Sequence, residues 1–255
     1  MDGAGVAAEG LTAPRASLWP VVGWSLLDLL VAGAIVFAVG ILAAFALSAL
    51  RAAGMDLGPS QPALGGMPSL FVPVSLLGTL LAGVALWGFH RGRLPAAPRP
   101  WTPRLGMAVV GVAVALQAAA VAFTALMAHL GTPTAGSNLA LIDAAFAAAP
   151  ALTLLMTVLL APIGEELVFR RVLLHRFAQS GRPWLGLALT SVGFALIHEP
   201  LPGDRDLLAW LLTLATYASL GLGFGLLYLR SGRLDAVILA HVLVNAVGMT
   251  LLLRA

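Results

Sequence analysis

Cysteine and lysine are both missing from this 255-residue chain, and charge of any kind is scarce, with 10% of residues Asp, Glu, Lys or Arg. Without cysteine there is neither a disulfide framework nor a thiolate metal site. All fourteen basic residues are therefore arginine. They form no basic run interleaved with aromatics, so the net charge of +3 and the pI near 10.5 do not mark a nucleic-acid-binding surface. The short alternating segments of a transmembrane β-barrel are absent as well.

What the chain has in abundance is apolar length. Sixty per cent of its residues are hydrophobic and its mean hydropathy is +0.98, outside the range of a soluble domain. A bilayer core of about 30 Å needs roughly 20 apolar residues per helical crossing. Long apolar stretches at 19–50, 68–90, 105–130, 139–179, 184–199, 207–229 and 234–253 predict an all-α fold, a polytopic membrane helix bundle with about seven transmembrane helices. Pro- and Gly-rich connectors such as GMDLGPSQPALGGMP, and short turns such as SGRP and RSGR, separate them.

Residues 1–18 carry Asp2, Glu9 and a single Arg15, unlike the basic start of a signal peptide, and read as a disordered N-terminal tail. The remainder, 19–255, reads as a single transmembrane domain whose chemistry-bearing motifs lie within 160–250. With the N-terminus cytoplasmic, eleven arginines fall inside and only Arg51, Arg205 and Arg254 outside. The positive-inside rule thus predicts a multi-pass protein of the inner (plasma) membrane with its N-terminus in the cytoplasm.

Ionisable groups at membrane depth are costly, so each is a candidate for function. Asp28 stands alone in the first helix and reads as a hydrogen bond between helices. His90 and His129 lie at helix ends, where an interfacial role is ordinary. Gly221, Gly223 and Gly225 follow helix-packing logic. Three further patterns lie in three separate helices: Glu165 and Glu166 before Arg170, Phe194 four before His198, and His241 four before Asn245. Positions four apart share a helix face, so Glu166 can pair with Arg170, leaving Glu165 as the unpaired carboxylate.

Depth links these patterns. Glu165 and His198 are equidistant in sequence from the SGRP turn, so an antiparallel hairpin sets both about 25 Å from it. His241 lies about 11 Å beyond the RSGR turn. The depths agree if the first hairpin projects some 14 Å into the cytoplasm, which places Arg170 and Arg171 near the headgroups and opens the site toward the cytoplasmic side.

A carboxylate and two imidazoles converging with an amide can hydrolyse a peptide bond. A glutamate beside His198 can accept a proton from water and return it to a leaving amine. His241 and Asn245, one turn apart, can donate to the oxyanion of a tetrahedral intermediate. The same residues permit a second scheme, in which Glu165, His198 and His241 bind catalytic Zn²⁺, although the sequence requires no cofactor. Any one pair alone is ordinarily a polar contact between helices; three in separate helices point to a site.

At these residues the chain resembles the CAAX prenyl protease and bacteriocin-processing family, also called the Abi family of intramembrane proteases. The resemblance rests on Glu165, Glu166 and Arg170, on Phe194 and His198, and on His241 and Asn245, over residues from about 145 to 253. It implies an endopeptidase in which Glu165 is general base, His198 its partner, and His241 with Asn245 the oxyanion hole, supported by Glu166, Arg170 and Phe194. It also implies a bacterial member acting on a membrane-associated peptide or protein. A proton-coupled transporter predicts polar groups spread through the full membrane depth, whereas these cluster toward one side. A non-catalytic membrane scaffold would have no use for the complete motif set.

Overall fold

The computed structural model describes residues 17–90, 100–132, 139–199 and 206–254. Residues 1–16 of the expected N-terminal tail lie outside that set, as does the chain from Pro200 to Arg205. The described residues form an all-α bundle. Its helices are α1 (Leu18–Ala52), α2 (Phe71–His90), α3 (Pro103–His129), α4 (Leu139–Ala148), α5 (Pro150–Gln179), α6 (Pro183–His198), α7 (Leu207–Ser231) and α8 (Leu234–Leu252). Two-residue strands, Ser60–Gln61 and Met67–Pro68, pair antiparallel in the α1–α2 connector.

Six of these helices are long and apolar enough to cross a membrane, and α6 is a shorter apolar helix of 16 residues. At 1.5 Å per residue α6 is about 24 Å long, less than a bilayer core. The single stretch expected at 139–179 is instead two helices. Ala149 has φ −151° and ψ 75° because the ring of Pro150 bars its predecessor from helical backbone, so the chain bends there.

The helix α5 is the axis of the bundle. Buried residues make up 56% of its most apolar 18-residue window, against 11% for α1, which faces outward along most of its length. Two apolar clusters flank it. One joins Val109, Ala113 and Leu116 of α3 to Leu174, Phe224, Tyr228, Val237 and Val244, while the other joins Ala82 and Leu86 of α2 to Val168, Phe169, Val172 and Phe194.

Backbone irregularity marks the middle of α5. Its winding widens to π-helix at Leu155–Leu160, returns to α-helix at Ala161–Glu166, and widens again at Leu167–Leu174. Pro162 has no N–H to give and its ring crowds the preceding turn, so a wide turn just before it relieves the clash. The six-residue segment APIGEE between the two π stretches carries both glutamates. Just before them, α2 and α5 cross backbone against backbone. A Cβ at Gly164 would stand 2.5 Å from the carbonyl oxygen of Thr79, and one at Gly83 2.5 Å from that of Gly164. Only glycine allows this approach, which brings α2 directly beside the glutamates.

Candidate active site

Three helices supply the polar side chains. Glu165, Glu166 and Arg170 come from α5, His198 from the last residue of α6, and His241 and Asn245 from α8. Glu166 and Arg170 form the expected pair one turn apart, with Arg170 Nε 3.1 Å from Glu166 Oε2 and Nη1 donating to Oε1 at 3.2 Å. Arg170 Nη2 donates to the carbonyl of Gly221 on α7 at 3.0 Å. The guanidinium also lies 5.0 Å from the ring centroid of Phe194 and 5.6 Å from that of Phe224.

This corrects the expectation that Arg170 reaches the headgroups. Its residue exposure is 1% and Glu166 is wholly buried. A buried ion pair is tolerable only when its remaining hydrogen-bonding capacity is met, and here the Gly221 carbonyl and His241 help to meet it. His241 Nδ1 is 2.7 Å from Glu166 Oε1, which holds the imidazole by one nitrogen and turns the other, Nε2, toward Glu165.

Glu165 Oε2 sits between two imidazoles, 3.7 Å from His198 Nε2 and 3.8 Å from His241 Nε2. Both separations are longer than a direct hydrogen bond, and Oε2 is buried without a hydrogen-bond partner among the described residues. The Nδ1 of His198 lies 2.8 Å from the Phe194 carbonyl, which can only accept, so Nδ1 carries the proton. In the neutral ring Nε2 then presents its lone pair toward Glu165. The role of Phe194 is thereby explained: its carbonyl sets the tautomer of His198 and its ring packs 4.3 Å from that imidazole.

Asn245 stands apart from this knot. Its Nδ2 donates to the carbonyl of Thr157 at 2.9 Å, in the first π stretch of α5, leaving a second amide hydrogen available. The structure thus joins Glu165, His198 and His241 directly, links Glu166 and Arg170 to them, and ties Asn245 to the wall behind.

The three groups proposed for zinc are set wider than a zinc site requires. Ligand atoms about 2.1 Å from a tetrahedral zinc are about 3.4 Å from one another, less than the 3.7 and 3.8 Å found. Among the described residues no three His, Asp or Glu side chains are gathered as a metal-ligand set.

Two features carried no motif signal. Helix α7 stacks an aromatic ring on each imidazole, Tyr217 on His198 and Phe224 on His241. The spacing of 217, 221 and 224 along one helix face was the available cue. His175 forms a second buried contact, its Nδ1 3.2 Å from the Tyr228 hydroxyl, to which Arg171 Nη1 donates at 3.4 Å. Arg171 therefore points to α7. Asp28 is the expected contact between helices: Oδ1 lies 3.1 Å from His90 Nε2, and Oδ2 takes the Arg176 guanidinium.

Comparison with known proteins falls on the same helices. Residues 146–247 match the family described as type II CAAX prenyl endopeptidase Rce1-like. A protein of Escherichia coli described as "Uncharacterized 24.3 kDa protein" is 34% identical over 100 residues, covering 38% of this chain and 43% of the relative. The matched part is thus less than half the length of that curated relative. No solved structure matches. The matched segment contains Glu165, Glu166, Arg170, His198, His241 and Asn245, and over residues 146–247 the chain is similar to the Rce1-like family of type II CAAX prenyl endopeptidases.

Proposed function

We propose that this protein is an intramembrane endopeptidase that hydrolyses a peptide bond of a membrane-associated protein or peptide. One observation carries the reading: a buried carboxylate oxygen without a hydrogen-bond partner among the described residues faces two imidazole nitrogens at 3.7 and 3.8 Å. A carboxylate in that position has water as its natural partner, and the family match supports peptide hydrolysis as the use of that water.

In the proposed reaction a water donates one hydrogen to Glu165 and the other to His198 Nε2, leaving an oxygen lone pair aimed at the substrate carbonyl. Glu165 takes the proton as the water oxygen bonds to the carbonyl carbon. The resulting oxyanion accepts hydrogen bonds from the second amide hydrogen of Asn245 and from His241 Nε2, the latter with His241 as imidazolium, since Nδ1 already gives its hydrogen to Glu166. As the tetrahedral intermediate collapses, the C–N bond breaks and Glu165 delivers its proton to the leaving amine nitrogen. Glu166 and Arg170 hold His241 in place and touch no reacting atom.

The placement proposed for the protein is a bacterial inner membrane, N-terminus in the cytoplasm, site open to the cytoplasmic side, supported by eleven arginines against three. The chain's lack of cysteine makes this simple to test. A single Arg182→Cys should react with an impermeant maleimide only from the cytoplasmic face, and Gln61→Cys only from the opposite face; the reverse pattern inverts the orientation.

The decisive assay is cleavage of a library of membrane-tethered peptides by the purified protein and by Glu165→Ala, His198→Ala and His241→Ala. Cleavage by the wild type and none by the variants is expected. If the wild type cuts nothing, or the variants cut equally well, the reading fails. Metal analysis and a chelator arm test the zinc scheme: activity lost to chelator and restored by zinc would replace the metal-free mechanism.

A further inference from the structure

His198 is held by its own helix on one side only, through the carbonyl and ring of Phe194. It is the last residue of α6, and the next residue, Glu199, leaves helical geometry at φ −132° and ψ 81°. Helix ends fray, because their last carbonyls have no partner within the helix. The hydrogen bond from Nδ1 to the Phe194 carbonyl fixes one point of the ring and leaves a swing about that point. The His198 side chain is 19% exposed against 4% for His241, which sits in the interior of α8 and is tied to Glu166.

The missing support comes from α7. Tyr217 lies on the His198 imidazole with centroids 4.7 Å apart and planes 24° apart, a stacked arrangement. One turn on, the Gly221 carbonyl receives Arg170. One turn further, Phe224 stacks on His241 at 4.5 Å and again 24°. A Cβ at Gly221 would stand 2.8 Å from the Ser191 Cα, so glycine there lets α7 lie close enough to α6 for the first stack to form. Tyr217 is only partly buried and packs at the edge of the apolar cluster around Phe169 and Phe194. It is one of two tyrosines in the chain.

We propose that Tyr217 is a positioning residue for the hydrolytic reaction: its ring, presented by α7, keeps the His198 imidazole level with Glu165. The proposal deepens the endopeptidase reading and rests on it. It makes α7, which supplies no acid, base or oxyanion donor, the element that sets the distance between the water-activating pair. Phe224 holds His241 in the same manner two turns along.

The test uses full-length protein in detergent micelles and a membrane-tethered peptide that the wild type cuts. Tyr217→Leu should lower kcat by roughly 10- to 100-fold with KM within about threefold, because a small misplacement of an activating group acts on the chemical step, while Tyr217→Phe should stay within about threefold of wild type. A second readout is independent of turnover. In protein labelled with ¹⁵N-histidine, the His198 ring protons, assigned by loss of their signals in His198→Asn, should be shifted upfield by the Tyr217 ring. The Tyr217 part of that shift should persist in Tyr217→Phe and be lost in Tyr217→Leu, leaving the part due to Phe194, whose ring lies 4.3 Å from the imidazole.

The proposal is overturned if Tyr217→Leu keeps the wild-type kcat, if Tyr217→Phe is as impaired as Tyr217→Leu, or if the His198 signals are the same in both. Should Tyr217→Leu fail to fold, Tyr217→Trp takes its place, with the upfield shift and at least partial kcat expected to survive. Failure of the endopeptidase reading looks different: Glu165→Ala and His198→Ala would cut like the wild type, while the resonance experiment would still report on the stack.

Discussion

The bundle holds two clusters built from the same residue types, an acid, a histidine and an arginine brought together from different helices. In the first, Asp28 of α1 meets His90 of α2 and Arg176 of α5, and Arg176 also donates to Ser25 at 3.2 Å. Both oxygens of Asp28 are engaged, so the charge is consumed in pinning α1 to its neighbours. In the second there are two carboxylates to one guanidinium. Glu166 takes both Arg170 and His241 Nδ1, and Glu165 Oε2 is left facing two imidazole nitrogens at distances too long for hydrogen bonds. An acid matched by a cation is structural; in the proposed reaction the second acid, beyond the available cation, is the group that works on water.

The comparison breaks most sharply at Glu165. Replacing it with glutamine keeps the shape and removes the base, and should cut the cleavage rate by roughly 10²- to 10⁴-fold. Asp28→Asn changes the other cluster in the same chemical way and should leave the rate nearly untouched. Peptide cleavage by the two purified variants, side by side, reads the difference. Equal losses would mean that the clusters are not distinct in function.

Stability should sort the clusters in the same order. Arg170 lies among Phe169, Phe194 and Phe224 beside a fully buried Glu166. Arg170→Met strands that carboxylate and should lower stability by about 3–5 kcal/mol. Thermal unfolding in detergent measures the loss. A wild-type melting temperature for Arg170→Met would show that Glu166 does not depend on its partner.

Much of this contrast was legible before any coordinates. Hydropathy located the long helices, and the intervals among Glu165, His198 and His241 predicted that those side chains would meet. Asp28 was readable as a contact between helices, though its partners were not, since nothing local connects residue 28 to residues 90 and 176. The burial of Arg170 was misread because an arginine near a hairpin expected to be cytoplasmic looks like a topology signal, and only the tertiary placement of Phe194 and Phe224 makes it a core residue. The break between α4 and α5 at Ala149 was signalled by Pro150 yet hidden by the unbroken run of apolar residues around it. The π stretches and the α7 wall had no motif at all, because ring stacking and helix winding leave only spacing behind in a sequence.

The close crossing of α2 and α5 tests whether the reactive cluster depends on backbone approach. Gly164→Ala puts a methyl group 2.5 Å from the Thr79 carbonyl oxygen, a backbone atom that cannot rotate away. The helices must separate, at a cost of about 1–3 kcal/mol typical of overpacking. Because Glu165 is the next residue, cleavage should fall by more than that stability loss alone would explain. Activity measured well below the melting temperature separates the two effects. A variant that is destabilised yet fully active would mean that the crossing serves folding only.

The smallest effect should come from the saturated cluster. The Arg176 side chain is 17% exposed, so solvent or headgroups can take over part of its pairing when Asp28 loses its charge. Asp28→Asn retains an acceptor for the guanidinium and should cost only about 1 kcal/mol, the scale of partly exposed ion pairs. The same variant should raise the reactivity of a cysteine introduced at Ala32, a buried position one turn along α1, if the cluster is what holds that helix against the bundle. Unchanged labelling at position 32 together with an unchanged melting temperature would mean that apolar packing alone docks α1. The distinction between a charge that fastens helices and a charge kept free for chemistry would then survive only at Glu165.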